Sequence, residues 1–127
     1  NAVTQRGAIE ALTGDLKPSV EMNKEFGRRR ARMLQLLKAI PGIQIAEPDG
    51  AFYVFPVVTA YFGKKNGEEI IKDADDLCMY LLNTAHVSTV TGRAFGEPTC
   101  IRISFANSME KIESAMQRIS DALKKLV

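Results

Sequence analysis

The sequence predicts an α+β domain in which a small mixed or antiparallel sheet of about three to four strands carries helices on one face. Two observations support this fold class. Apolar residues recur at intervals of three and four in several long segments, as they do on one side of a helix. Short segments rich in β-branched and aromatic residues lie between them and are bounded by Gly, Pro and Asp. A length of 127 residues is enough for one buried core.

Composition places the chain among globular proteins. Apolar residues make up 46% of the sequence and charged residues 25%, which excludes the disordered and fibrous classes. A net charge of +2 does not favour nucleic acid or an anionic membrane as the main partner. No segment approaches the roughly 20 apolar residues of a membrane span, and the N-terminus lacks a signal-peptide pattern. Cys78 and Cys100 lie in apolar runs without metal-ligand spacing, which predicts reduced core residues of a cytoplasmic protein.

Two helices are predicted in the N-terminal third. Residues 3–13 form a helical segment that ends at Gly14. We expect residues 1–14 to be a tail from a neighbouring domain, with residues 1–2 as a candidate tag remnant, and residues 15–127 to form the domain itself. Ser19 is the expected cap of a long helix that ends at Pro41 and Gly42. The apolar stripe of this helix consists of Met22, Phe26, Met33, Leu37 and Ile40.

The segment after this helix predicts a hairpin. Residues 43–46 and 51–55 have the composition of strands. Between them, residues 48–50 (Pro-Asp-Gly) have the composition of a turn. Residues 57–72 mix apolar residues with glycine, lysine and asparagine, which predicts a mobile surface excursion.

The C-terminal half predicts a helix, two strands and a final helix. The third helix is capped by Asp73 or Asp75, and the fourth by Asn107 or Ser108. Residues 87–90 and 100–106 are the expected strands, with a glycine-containing loop over 91–99. The second strand alternates Ile101, Ile103 and Phe105 with Cys100, Arg102 and Ser104. The helical stripes are Ala74, Leu77, Cys78, Leu81, Leu82 and Ala85, and then Met109, Ile112, Met116, Ile119, Leu123 and Leu126.

Arg102 is the strongest candidate for a functional residue. It lies in the middle of the predicted strand CIRISFA, where an unpaired guanidinium would lose several kcal/mol of solvation. The planar fork of arginine suits bidentate pairing with a carboxylate. That carboxylate could belong to an Asp or Glu of this chain, as a structural salt bridge, or to a small substrate.

The loop before this strand contains weaker candidates. Gly92 and Gly96 could let the backbone approach a ligand, and Arg93 could meet an anion. The spacing matches no phosphate-binding loop, however, and turn glycines in a connection explain the pattern better. Ser108 and Lys111 match the SxxK spacing of some serine hydrolases, but a serine that caps a helix is the simpler interpretation.

The remaining candidates have ordinary structural explanations. His86 has no nucleophile near it in the sequence and is interpreted as a residue at a helix end. Four arginines point in most directions around one helix, which predicts a solvated or interdomain surface rather than one nucleic-acid face. They are Arg28, Arg29, Arg30 and Arg32. The aromatic residues Phe52, Tyr53 and Phe55 alternate along a strand and are expected mainly in the core, with Tyr53 near an interface or cleft.

Two stretches taken together resemble the class I aminotransferases. They are PDGAFYVFP over residues 48–56 and TGRAFGEPTCIRISFANSMEKIESAMQRI over residues 91–119. The stretches VTQRGAIEAL and RRRARMLQLLKAIPGI extend the resemblance over nearly the whole chain. In that family the first two stretches belong to the small C-terminal domain. The stretch RRRARMLQLLKAIPGI resembles the long helix that enters this domain, and VTQRGAIEAL resembles the helix that follows the cofactor-binding region. One departure is Thr91-Gly92, where the family usually has Pro-Gly.

The resemblance implies a parent enzyme that moves an amino group between an amino acid and a 2-oxo acid through pyridoxal phosphate. By this resemblance Arg102 aligns with the arginine that holds the substrate α-carboxylate. No lysine here stands in the family's Schiff-base motif, so the cofactor is expected on a missing large domain and the isolated fragment is expected to be inactive. The pattern is closest to bacterial aspartate aminotransferases, and the parent is expected to be a homodimer.

Two other functions remain open from the residues alone. A noncatalytic regulatory module of this fold could also hold an amino-acid carboxylate. A nucleic-acid-binding helix would depend on the arginines at 28–32 and would bind in a strongly salt-dependent way. No metal site is expected.

Overall fold

The computed structural model describes all 127 residues as an α+β fold with four α-helices and two small antiparallel sheets. The helices are α1 (Ala2–Thr13), α2 (Lys17–Lys38), α3 (Ala74–Tyr80) and α4 (Met109–Leu123). The strands are β1 (Tyr53–Val54), β2 (Lys65–Asn66), β3 (Glu69–Ile70), β4 (Val90–Thr91) and β5 (Ile101–Ser104). The predicted α+β fold class is confirmed. Of the two sheet types expected, mixed or antiparallel, the structure has the antiparallel one.

Strand β5 is the centre of the main sheet, whose strand order is β1-β5-β4. It pairs antiparallel with β1 through Tyr53–Ser104 and Val54–Ile103, and with β4 through Val90–Arg102 and Thr91–Ile101. The β1 register continues to an isolated bridge between Val57 and Cys100. The ladder between these points is interrupted at Pro56, which has no N–H to donate. Its carbonyl still accepts a hydrogen bond from the amide of Ile101, at 3.1 Å.

The hairpin expected between residues 43–46 and 51–55 does not form, because β1 pairs with β5 and the first segment makes only one bridge, to a residue beyond the predicted second strand. Gln44 and Val57 are joined by two backbone hydrogen bonds of 2.8 and 3.3 Å, which constitute a single bridge. The strand expected over residues 43–46 is therefore reduced to one residue pair. Residues 57–72 are not only a surface excursion, because Val58, Tyr61 and Ile71 are buried in the core. The hairpin of β2 and β3 projects between these anchors.

The long helix α2 begins earlier than the sequence predicts. It starts at Lys17 with Pro18 in its first turn, and Ser19 is inside the helix rather than its cap. The amide of Lys17 donates instead to the carboxylate of Asp15, at 2.8 Å. The predicted stripe is buried only in the second half of the helix, at Met33 and Leu37 and then Ile40. Met22 is 62% exposed, so its predicted core position is wrong for this chain.

Helix α3 begins as predicted but ends in an unexpected way. The carboxylate of Asp73 accepts hydrogen bonds from the amides of Asp75 and Asp76, both at 3.0 Å, and caps the helix. From Leu81 to Ala85 the chain continues as a π-helical turn, which changes the side of the helix that faces the core. Leu82 of the predicted stripe is therefore exposed, whereas Tyr80 is fully buried.

The core lies between one face of the sheet and the helices. Ile101, Ile103 and Phe105 all point into it, as the alternation predicts. Helix α4 is capped by Ser108, whose hydroxyl accepts from the amide of Lys111 at 3.3 Å. The stripe of α4 buries Ile112, Met116, Ile119, Leu123 and, just past the helix, Leu126. Arg102 lies on the other face of the sheet.

No helix of the structure combines the length and the apolar composition that a membrane crossing requires.

Candidate functional site

Arg102 projects from the centre of β5 on the face opposite the core. Its neighbours in the strand, Ile101 and Ile103, are buried, and this fixes the direction of the arginine by the two-residue period of a strand. The side chain is partly buried. A residue held in the central strand of a sheet is positioned more rigidly than one on a loop.

The guanidinium of Arg102 is surrounded by aromatic rings rather than by carboxylates. Its central carbon lies 4.4 Å from the ring centroid of Phe95 and 5.4 Å from that of Tyr53. No Asp or Glu of the chain forms an ion pair with it, and no oxygen of the chain accepts a hydrogen bond from it. The first of the two alternatives, a structural salt bridge between Arg102 and an Asp or Glu of this chain, is therefore not formed.

A small pocket of about 100 Å³ lies against the guanidinium. It is lined by Tyr53, Phe55, Phe95 and Arg102. Phe55 belongs to it because the register of β1 against β5 places this residue opposite Arg102. The ring of Phe55 meets that of Phe95 edge to face, with centroids 6.1 Å apart. The pocket therefore combines one cation with an aromatic wall, a combination that suits a carboxylate carried on an organic group.

The loop before β5 is occupied by contacts within the chain. Arg93 forms ion pairs of 2.8 Å with both Asp73 and Asp75, so its charge is matched inside the fold and does not await an external anion. Gly92 faces backbone rather than a ligand, because a Cβ there would lie 2.1 Å from the carbonyl oxygen of Glu97. Gly96 has φ of +81° and ends the short 3₁₀ turn Gly92–Phe95.

Glu97 stabilises the end of the same loop. Its carboxylate accepts hydrogen bonds from the hydroxyl of Thr99, at 2.5 Å, and from the amide of Thr99, at 3.2 Å. These bonds lower the pKa of Glu97, because they favour the ionised carboxylate. The loop is thus a structured connection, as the simpler interpretation of its glycines predicts.

The other candidates occupy structural positions. His86 is exposed and takes the left-handed conformation (φ of +53°) that ends the π-helical turn. The four arginines of α2 all have partners within the chain: Arg28 and Arg29 pair with Glu25, Arg30 donates to the carbonyl of Pro48, and Arg32 pairs with Glu113. This arrangement matches a solvated surface rather than a basic face for nucleic acid.

The two cysteines are free thiols in partly buried and buried positions. Burial raises the pKa of Cys78 and of Cys100 above the ordinary value. The Sγ of Cys78 accepts a hydrogen bond from the hydroxyl of Thr89, at 3.2 Å, and this bond partly opposes the pKa shift. The structure contains no cluster of three or more His, Cys, Asp or Glu side chains that could hold a metal ion.

The residues around Arg102 do not form a site for pyridoxal phosphate. No lysine lines the pocket, and no lysine of the chain is buried. A covalent link to an aldehyde cofactor needs a lysine amine whose pKa is reduced by desolvation or neighbouring cations. The pocket beside Arg102 supplies no such amine.

The comparisons with known proteins identify the family of the chain. The sequence profile of the family described as "Aminotransferase class I and II" matches residues 1–119. The chain belongs to this aminotransferase family. The fold class and the family resemblance of the sequence are thereby confirmed.

Similar aminotransferases are known from distant organisms. A bifunctional aspartate and glutamate/aspartate-prephenate aminotransferase of Petunia hybrida is 39% identical over 97% of this chain and 26% of its own length. The crystal structure of aspartate aminotransferase from Rhizobium meliloti superimposes with a TM-score of 0.94 at 36% identity, covering all of this chain and 32% of that one. An alanine aminotransferase from Pyrococcus furiosus superimposes at 0.80 with 33% identity, covering 92% of this chain and 28% of that one. The chain thus spans between a quarter and a third of the length of these aminotransferases.

Sequence reasoning located Arg102 and placed Tyr53 near a cleft, but it missed Phe95 and Phe55 as parts of the pocket beside Arg102. Phe55 could have been predicted from the alternation of side chains along a strand, because this alternation puts it on the same face as Tyr53. Phe95 gave no signal, since it lies in a short 3₁₀ turn without periodicity.

Proposed function

We propose that this chain is the small C-terminal domain of a pyridoxal-phosphate-dependent aminotransferase and that Arg102 binds the α-carboxylate of its substrates. The observation that carries the proposal is the state of the guanidinium: it lies on the open face of the sheet, beside a pocket, with no acceptor in its own chain. The family supports the reaction class, a transfer of an amino group between an amino acid and a 2-oxo acid. Aspartate is the first donor to test, because several relatives are aspartate aminotransferases.

In this proposal Arg102 contributes binding and orientation. A guanidinium can donate two parallel hydrogen bonds to one carboxylate, which fixes both the position and the rotation of the amino acid. Orientation by such a pair, held on a rigid strand, removes rotational freedom that the reaction would otherwise lose at the transition state. The aromatic rings beside the pair reduce contact with water and so strengthen its electrostatic part.

The cofactor belongs to the rest of the proposed enzyme. Bound pyridoxal phosphate supplies the electron sink of the reaction, and no lysine lines the pocket beside Arg102. The isolated chain is accordingly expected to be inactive. This expectation separates the proposal from a noncatalytic regulatory module, which would bind its amino acid as the isolated domain.

We also propose that α1 packs against the missing domain, as a tail over residues 1–14. None of its twelve residues is buried in this chain, and Val3, Ile9 and Leu12 are more than half exposed. A helix of this length is marginal alone and gains stability mainly by packing an apolar side. The first turns of α2 are equally uncovered at Leu16 and Val20, so the covered surface would extend beyond residue 14.

The proposed enzyme is a cytoplasmic homodimer. Free cysteines at 78 and 100 are consistent with a reducing compartment. The homodimer rests on the family resemblance alone.

The test uses the full-length protein loaded with pyridoxal phosphate. L-aspartate, L-alanine and L-phenylalanine are added separately, and the absorption spectrum of the cofactor reports transfer of the amino group. We expect at least one donor to change the spectrum. Arg102→Ala should lower kcat/KM by at least about 30-fold, the lower end of the loss when one partner of a hydrogen-bonded charge pair is removed. Arg102→Lys should restore little, because an ammonium lacks the planar fork.

The three donors share an α-carboxylate and differ in their side chains. A loss of similar size for every reactive donor is therefore the expected mark of α-carboxylate binding. No spectral change with any donor would contradict the reaction class. A change that Arg102→Ala leaves intact would contradict the role of Arg102 only.

A further inference from the structure

The aromatic surroundings of Arg102 support a second assignment, which rests on the proposed function. The ring of Phe95 is the nearer of the two rings, at 4.4 Å from the guanidinium carbon, against 5.4 Å for Tyr53. A cation over a ring face is attracted by the negative face of the ring. Phe95 is 51% exposed, so burial of its own side chain gives little reason for its position.

Stacking and carboxylate binding use different parts of a guanidinium. Rings interact with the flat faces of the group, whereas its N–H donors lie in the plane and point outward at the edge. Contact with Phe95 and Tyr53 therefore stabilises the charge without consuming a donor. An Asp or Glu in the same place would occupy the donors and compete with the substrate. The aromatic contacts leave the fork complete for a carboxylate.

The turn that carries Phe95 is anchored at several points. Arg93, two residues earlier, pairs with Asp73 and Asp75 at the start of α3. The hydroxyl of Thr91 accepts a hydrogen bond from the amide of Arg93, at 3.3 Å. The amide of Gly92 donates to the carbonyl of Cys100, at 2.8 Å, which ties the turn to the start of β5.

Contacts therefore link α3 to the guanidinium: α3 holds the turn, and the turn holds the ring that lies over Arg102. The turn is held by charge pairs at Arg93, and Phe55 supports the ring of Phe95 from the side. We propose that Phe95 is a positioning residue that holds the fork of Arg102 in the orientation that receives the substrate carboxylate. Arg93 has the secondary role of holding the turn in place.

The experiment uses the full-length, cofactor-loaded protein and the three donors named above. Phe95→Leu removes the aromatic face and keeps an apolar side chain of similar size. Phe95→Tyr keeps the face and serves as the rescue. Phe52→Leu is the matched control, because Phe52 has a similar exposure of 55% and touches Tyr53 rather than the guanidinium.

Phe95→Leu should raise KM by about 3- to 30-fold, the range that corresponds to a partly desolvated cation–π contact. The value of kcat should change less, because the carboxylate is bound in both the ground state and the transition state. The factor should be similar for every reactive donor, since it acts through the shared α-carboxylate. Phe95→Tyr and Phe52→Leu should stay near the parent values.

Coupling to Arg102 is the decisive readout. If Phe95 acts through Arg102, adding Phe95→Leu to Arg102→Ala should have no further effect on KM. Full additivity of the two substitutions would overturn the assignment, as would an equal loss in Phe52→Leu. A penalty confined to L-phenylalanine would also overturn it, because Phe95 would then contact the substrate side chain directly. In each of these cases a large effect of Arg102→Ala would leave the proposed function standing.

Discussion

Arg102 shows how one strand position can hold a charge that has no acceptor in its own chain. The buried isoleucines on either side fix the backbone, and the rings of Tyr53 and Phe95 stabilise the cation on the open face. The strand alternation that predicts the direction of Arg102 is a local property and was readable from the sequence. The rings come from two other segments, and only the folded chain brings them together.

Gly92 is the residue whose substitution tests the loop most directly. A Cβ at this position would lie 2.1 Å from the carbonyl oxygen of Glu97 and 2.5 Å from that of Cys100. Both atoms belong to the backbone and cannot move aside independently. Gly92→Ala should therefore destabilise the 127-residue chain by about 1–3 kcal/mol, as overpacking usually does. Urea unfolding followed by circular dichroism measures this loss.

Gly27 provides the control for that substitution. It lies inside α2, and a Cβ there would meet nothing within 4 Å. Gly27→Ala should stabilise the chain by about 0.5–1 kcal/mol, because alanine loses less backbone entropy than glycine in a helix. Equal effects of the two substitutions would mean that the tight contact at Gly92 is not a constraint.

At the scale of elements, the prediction succeeded where periodicity was regular and failed where the backbone geometry changed. Helix α4 keeps an α-helical period throughout, and its stripe is buried as expected. In α3 the period breaks at the π-helical turn, which moves Leu82 outward although an α-helix would bury it. Residues 74–86 contain no Gly or Pro from which this change of helix type could be predicted. Tertiary contacts, such as the hydrogen bond from the buried hydroxyl of Tyr80 to the carbonyl of Ala122, accompany it.

Helices α1 and α2 should respond very differently to the same substitution. Leu37 in α2 is fully buried, whereas Leu12 in α1 is 85% exposed. In the 127-residue chain, Leu37→Ala should cost about 2–5 kcal/mol of unfolding free energy, because it leaves a cavity in the core. Leu12→Ala should change the value by less than about 0.5 kcal/mol. Denaturant unfolding of both variants gives the comparison.

The same pair of variants tests the proposed contact of α1 with the missing domain. In the full-length protein, Leu12→Ala should become destabilising, because the apolar side of α1 would then be covered. A full-length protein that tolerates Leu12→Ala as well as the short chain does would show that α1 stays uncovered.

At the scale of the whole molecule, the α+β class followed from the sequence because the periods of helix and strand are local. Strand pairing did not follow, because it depends on contacts between segments far apart in the chain. Residues 57–72 illustrate the limit: their glycines and lysines indicate a surface segment, yet Val58 and Ile71 pack into the common core. The pocket beside Arg102 could not be predicted in full for the same reason, because its residues come from segments that only the folded chain brings together.

The stability of the whole fold should fall at alkaline pH. Burial raises the pKa of Cys78, Cys100, Tyr61 and Tyr80 above their ordinary values. The folded chain therefore keeps these protons at a pH where the unfolded chain has released them. Stability is fully present below the unfolded pKa values, about 8.5 for a thiol and about 10 for a phenol. It is lost as pH rises from those values through the folded ones, by at most about 1.4 kcal/mol per pH unit for each group.

Urea unfolding of the 127-residue chain between pH 7 and pH 10.5 measures this loss of stability. Replacing the cysteines separates the contribution of the thiols from that of the phenols. The double variant Cys78→Ala, Cys100→Ala removes both thiols, so its stability should fall less steeply in the window that opens near the ordinary thiol pKa. The steeper part that begins near the phenol pKa should persist, because Tyr61 and Tyr80 remain. Comparing slopes rather than absolute stabilities is necessary, since the two alanines also remove packing from one partly buried and one buried position. A slope below pH 10 that is unchanged in the double variant would show that the thiols titrate alike in the folded and unfolded chain, and that burial at these two positions does not control their ionisation.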